Sequence, residues 1–153
     1  MPTDLATVLP LLLPKAIEWA NARAQEVLTG GEPLDETGLE LARAVGVSRP
    51  ERIRVSVVQS LPLPEDKTLR AVALEIGLMG EGMVGLTLGY GIYVCTGHID
   101  NRLVSHECRH VFQYEKAGSI ESFLPIYLEQ IAIHGYYNAP YEIDARTHEI
   151  DAA

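Results

Sequence analysis

The run His106-Glu107-Cys108-Arg109-His110 holds the residue types best spaced for chemistry. Residues four apart share one face of a helix, so the imidazoles of His106 and His110 are placed to grip one metal ion, above all zinc. Glu107, beside the first histidine, can then take a proton from a metal-activated water. Two histidines rarely hold zinc alone, and a catalytic site usually has three protein ligands and an open position. The run Asn138-Ala139-Pro140-Tyr141-Glu142-Ile143-Asp144-Ala145-Arg146 offers the third. Pro140 suits a first helical turn with Asn138 or Ala139 at its cap, which aims Glu142 back at the histidine pair. Small Ala145, one turn later, lets two helices approach closely. The plainer reading makes Glu142 an acid favoured by a helix dipole and the motif a solvated helix face.

The positioning elements follow from local pattern. Residues 101–116 lack Pro and Gly, and Gly118 supplies a stop. At 100° per residue, His106, His110 and Gln113 fall within one arc, while Val104, Cys108, Val111 and Phe112 lie opposite and face the core. The histidines are thus expected on the less apolar face, open to a cleft, with Gln113 within reach of His110. Residues 119–135 read as one crossover helix, with Phe123, Leu124, Tyr127, Leu128, Ile131 and Ala132 at helical spacing. Pro125 is placed in its early, unpartnered turn. Tyr136, Tyr137 and Tyr141 crowd the loop before Glu142. One of them could donate a hydrogen bond to an oxyanion, against the plainer reading of aromatic packing. His98, His134 and His148 read as surface or helix-end histidines.

Residues 106–115, with Glu142-Ile143-Asp144-Ala145 in trail, resemble the zincin metallopeptidases, and among them the glutamate-liganded gluzincins. More narrowly, the chain is similar to small bacterial proteins with an H-E-x-x-H-V-x-Q-Y-E core. Those carry a Gly-Leu-Thr-Leu-Gly strand before the core and a Pro-x-Glu-x-x-Ala segment after it. The stretches 85–89, 106–115 and 140–145 match, so the resemblance covers roughly the C-terminal half. It implies zinc at His106, His110 and Glu142, Glu107 as general base, and a peptide or protein substrate. In zincins an edge strand beside the motif helix pairs with extended substrate, and residues 85–94 stand where that strand would be. Thermolysin-like enzymes place an Asp four residues after the ligand Glu, where it orients a zinc histidine; here that position is Arg146. Asp144 is the nearest acid, on a different helix face from Glu142, so the orienting partner is left open among Gln113, Asp144, Tyr137 and Tyr141. That departure favours a rival reading, a zinc-bound structural or interaction protein without turnover.

With 153 residues, 47% of them hydrophobic, the chain supports one domain over 1–153, with a scaffold in 1–80 and the metal-site half in 84–149. The expected fold is α+β, a minimal zincin-like domain whose small antiparallel or mixed sheet packs on the motif helix and further helices. A net charge of −9, with acids spread along the chain, argues against nucleic-acid or anionic-membrane partners. Cys95 in a predicted strand and Cys108 on the core face read as buried thiols. The apolar run 8–13 follows Asp4, lacks a basic flank and is interrupted by Pro10 and Pro14. It is a poor signal peptide and too short to span a membrane, so a cytoplasmic location is expected.

The scaffold reads as a helix over 14–28 with Ile17, Ala20, Ala24 and Val27 on one face, and a short helix over 39–45. A strand over 52–59 puts Ile53, Val55 and Val57 on one side, and a helix follows over 65–78. One or two strands span 84–95, bent at Gly89-Tyr90-Gly91. Leu41-Ala42 with Val45-Gly46-Val47 faintly suggests a helix-turn-helix, set aside because the chain is acidic.

Overall fold

Four acids and hydroxyls set the register of the helices. Asp35, Asp66, Asp100 and Ser119 each accept the backbone N–H three residues on, satisfying donors that a helix start leaves unpaired. A computed structural model describes residues 5–80 and 82–151, and Asp4 lies outside them. The chain begins with α1 (Leu5–Gly30), a short strand β1 (Glu32–Pro33) and α2 (Glu36–Ala44). A 3-10 turn at Pro50–Arg52, β2 (Arg54–Val58) and α3 (Lys67–Glu75) follow. The hairpin β3 (Gly85–Leu88) and β4 (Gly91–Cys95) leads into α4 (Asn101–Ala117), α5 (Ile120–His134) and α6 (Pro140–Thr147).

The fold is α+β around one mixed four-stranded sheet in the order β1-β2-β4-β3. β2 and β4 run parallel, while the two outer strands pair antiparallel. β4 is buried along its whole length, as a central strand covered on both faces must be. Tyr93 packs with Ala20, Ala24 and Val27 of α1. Its neighbours Ile92 and Val94 pack on the opposite face against Cys108 and Val111 of α4, the period-2 alternation of a strand. Leu88 and Gly91 pair across a two-residue turn, where Gly89 takes φ +66, a conformation glycine adopts at little cost. β3 is left as the outer strand beside α4.

Several expectations need correction. α1 runs through both Pro10 and Pro14. Each proline removes a backbone hydrogen bond, but burying Leu12 against Leu69 and Val72 holds the segment helical. Pro125 lies beyond the first turn of α5, so its missing N–H deletes a bond to the Glu121 carbonyl. Buried Phe123, Leu124, Leu128 and Ile131 carry that helix through. Val57 lies on the side of Val55 but is not covered there: it is 55% exposed, against 0% for Ile53. It lines a surface groove with Ile99 and Val104 where cover from α2 and α4 runs out. Asp35 starts α2 earlier than residue 39, and Asp66 starts α3 later than residue 65. After α2 comes a 3-10 turn and a strand, so no second helix completes a helix-turn-helix. Cys95 and Cys108 are free and buried. Among the described residues, no helix is long and apolar enough to cross a membrane.

Candidate metal centre

α4 and α6 meet at the motif. Ala145, with 0% exposure, lets α6 close onto α4. Ala139 at the α6 cap has no side chain to offer the first turn, and Gln130 of α5 reaches over instead, its Oε1 accepting the Tyr141 N–H at 2.9 Å. Glu142 is thereby aimed inward at 2% exposure. Its Oε1 lies 3.3 Å from His106 Nε2, and its Oε2 lies 3.1 Å from His110 Nε2. One donor atom from each of the three falls within 4.8 Å of the others, so the cluster could hold a metal ion.

The outer hydrogen bonds decide which ring nitrogens face the cluster. Gln113 donates through Nε2 to the Tyr141 carbonyl and to Asp144 Oδ2, both at 2.9 Å. Neither partner can donate, so the amide oxygen must be the atom at 2.7 Å from His110 Nδ1, and Nδ1 must carry a proton. At His106 the carboxylate of Glu149 stands 2.8 Å from Nδ1 and imposes the same tautomer. Both Nε2 atoms therefore face Glu142, and each offers a lone pair to a metal once its proton is displaced. Arg109, inside the motif, clamps Asp144 through Nε at 2.8 Å and donates to the Val45 carbonyl at 2.7 Å, so α2 also braces this network. Arg102 holds Glu149 at 2.7 Å.

Charge inside the cluster opposes burial. Burial would lower the His110 pKa, but the adjacent Glu142 carboxylate reverses that and raises it to about 9. His106 is raised as well, burial again being outweighed, here by the Glu142 hydrogen bond and the Glu107 charge. Burial would raise Glu142. The His110 charge and hydrogen bonds from both histidines and from Tyr127 instead hold it well below the usual carboxylate range. Tyr127 OH donates to Glu142 Oε2 at 2.7 Å.

Glu107 stands beside these three and outside the set. Its carboxylate turns to β3, where Thr87 Oγ1 donates to Oε1 at 2.8 Å and to the Glu107 carbonyl at 3.1 Å. A Cβ at position 85 would sit 2.7 Å from Glu107 Oε2, so only glycine leaves room for the carboxylate there. Burial pushes the Glu107 pKa up, opposed by the charges of His110 and His106 and by Thr87.

His106 borders an open cleft, as expected, but the rest of the motif face is closed. His110 is 7% exposed, Gln113 4% and Glu107 5%, because β3, α5 and α6 all close over this side of α4. Asp144 does serve the site, despite its different helix face, because the Gln113 amide spans the gap to His110. Tyr137 does not join it: the ring is 70% exposed and lies under the Arg146 guanidinium at 3.9 Å. Tyr141 contributes its carbonyl, while its ring stacks on Phe123 at 4.9 Å. Tyr136 is the loop tyrosine that lines the site cavity. His98 lines the cleft beyond His106, His134 is exposed, and His148 bonds back to the Asp144 carbonyl at 2.8 Å.

Sequence reasoning missed Glu149, Tyr127, Thr87, Gly85 and the brace from Arg109. Glu149 had no local signal, because it lies past the end of α6 at Thr147. Replacing it with Gln tests its role. Zinc affinity of Glu149→Gln should fall about 10- to 100-fold with the fold intact, read by competition with a chromogenic chelator; unchanged affinity would remove Glu149 from the site.

No protein-family model, no curated protein and no solved structure matches this chain.

Proposed function

We propose that this protein is a zinc-dependent hydrolase of the zincin type that cleaves peptide bonds. One observation carries the reading: two histidine Nε2 atoms and Glu142 converge, while the Glu107 carboxylate sits beside them outside the ligand set. Two imidazole nitrogens and one carboxylate oxygen form a donor set that catalytic zinc takes with a further position left open. Locked Nδ1 protons on both rings suit it, since each Nε2 is directed inward. Neither cysteine belongs to the cluster.

Bound by His106, His110 and Glu142, zinc would supply Lewis acidity toward a carbonyl oxygen and would lower the pKa of water. The remaining work falls to this chain. Glu107 takes the proton of the attacking water on its carboxylate and passes it to the leaving amine. Its raised pKa eases both steps, because the protonated form is closer in energy to the ionised one than for an exposed carboxylate. Thr87 fixes Oε1 by hydrogen bonding, which leaves Oε2 to handle the proton. The outer edge of β3 offers unpaired backbone groups to an extended peptide. Glu149 and the Gln113–Asp144 pair fill the orienting role that Arg146 cannot.

The test is cleavage of a broad peptide mixture by zinc-loaded protein, read as new termini by mass spectrometry. Products should form with zinc, disappear with a chelator and return when zinc is restored. No products at full zinc loading would favour the rival, a zinc-binding structural or interaction protein.

A further inference from the structure

A second space adjoins the cluster, on the other side of Glu107 from the open cleft. The cleft is polar, about 590 Å³, and runs past His98, Arg102, His106 and Glu149. The second space is smaller, about 90 Å³, and lies between α1, α3, α5 and β3. Its walls come from side chains such as Trp19, Leu69, Val72, Leu86 and Leu128, and its charged groups, Glu107, His110 and Glu142, gather at the site end. The two spaces share Met83, Gly85, Glu107 and Tyr136 as common wall. Glu107 therefore stands at the junction of a wet channel and an apolar hole.

We infer that this hole receives one leucine- or methionine-sized apolar side chain of the substrate, next to the bond that is cut. The inference rests on the hydrolase reading and adds to it a substrate class. Volume supports the size, since about 90 Å³ is somewhat below the roughly 150 Å³ apolar cavity that takes up benzene. Chemistry supports the class. An acidic side chain there would lose its water against a mostly apolar wall and meet two carboxylates, Glu107 and Glu142, beside the one imidazole of His110, at a cost that burial does not return.

The rim supports an adaptable fit. Met79 and Met83 line the hole, and the Met79 N–H lies 2.9 Å from Met83 Sδ. Met79 is the one non-glycine residue at positive φ among the described residues, at +58. Backbone held in that sparsely populated region is a recognised mark of ligand clamps. Methionine side chains also reshape around differing apolar groups at little cost. The N-terminal region, read from sequence as a scaffold, thus contributes α1 and α3 directly to substrate choice.

The experiment uses peptide hydroxamates on the zinc-loaded chain, with Gly, Leu, Met or Asp as the residue beside the hydroxamate. Leu and Met compounds should bind about 10- to 100-fold more tightly than the Gly compound, and Asp should bind no better than Gly. Ala16→Phe, which fills the hole from α1, should erase most of that preference; Ala73→Leu, filling from α3, is the alternative should the first variant not fold. Xenon should shift the Met79 and Met83 methyl resonances of metal-free wild type and fail to do so in the filled variant. Hydroxamates that bind without preferring Leu, an undiminished preference in a folded filled variant, or no xenon uptake would each overturn the pocket and leave the hydrolase reading standing. No hydroxamate binding at full zinc loading would overturn both.

Discussion

Purified protein should carry about one zinc per chain, and His106→Ala/His110→Ala should carry almost none. The double substitution removes both nitrogen donors and leaves the Glu142 carboxylate, at 2% exposure, with the Tyr127 hydroxyl in place of its charged partners. Such a carboxylate lacks the geometry to hold the ion, and losing the partners of a buried charge costs on the order of 3 to 5 kcal/mol. Metal loss must therefore be separated from unfolding. Circular dichroism gives the fold, and a Glu142→Gln comparison keeps size while removing the third ligand's charge. Elemental analysis after dialysis gives the zinc. Stoichiometric zinc in the double variant would mean that other residues bind it, and the assignment of this centre would be withdrawn.

The second large effect belongs to Glu107. Glu107→Gln should keep its zinc, because the carboxylate is turned to Thr87 and is not one of the converging donors. The amide oxygen can still accept the Thr87 hydroxyl, so packing against Gly85 is retained. Turnover should fall about 10²- to 10⁴-fold, the usual consequence of losing a general acid–base. The measurement is peptide cleavage by mass spectrometry at equal zinc occupancy in wild type and variant. Equal product in both would assign the cleavage to a contaminant. An active wild type beside a zinc-loaded, inert variant would tie the chemistry to this side chain.

The motif helix was the most legible element. Its histidine spacing, its freedom from Pro and Gly and the stop at Gly118 are all local properties, and Gly118 does end it with φ +100. Glu142 was legible for the same reason, through Pro140. What could not be read depends on distant partners. Pro10 and Pro14 look like interruptions until Leu12 is seen packed on α3. Glu149 falls beyond the end of α6, where helical periodicity no longer tells which way a side chain points. Tyr127 shows its apolar spacing, but nothing local says that its hydroxyl reaches a carboxylate fifteen residues on. Asp144 stood among the open orienting candidates, and counting helix faces could not select it, because that ignores the length of the glutamine between it and His110. Thr87 and Gly85 act across a strand–helix contact twenty residues or more away, a separation that only the fold defines.

Glu142 and His106 are 36 residues apart in sequence, and all of α5 lies between them. A bond between them closes a loop, and because the donors come together only in the folded chain, any metal they bind adds its binding free energy directly to folding. α6 has 8 residues, too few to hold helical shape in water by itself. Its anchorage rests on Glu142, on Asp144 at Arg109 and Gln113, and on Ala145 against α4. The same cluster proposed to serve chemistry is thus the knot tying α6 to α4, and removing a bound ion from it would loosen α6 before it loosened the sheet.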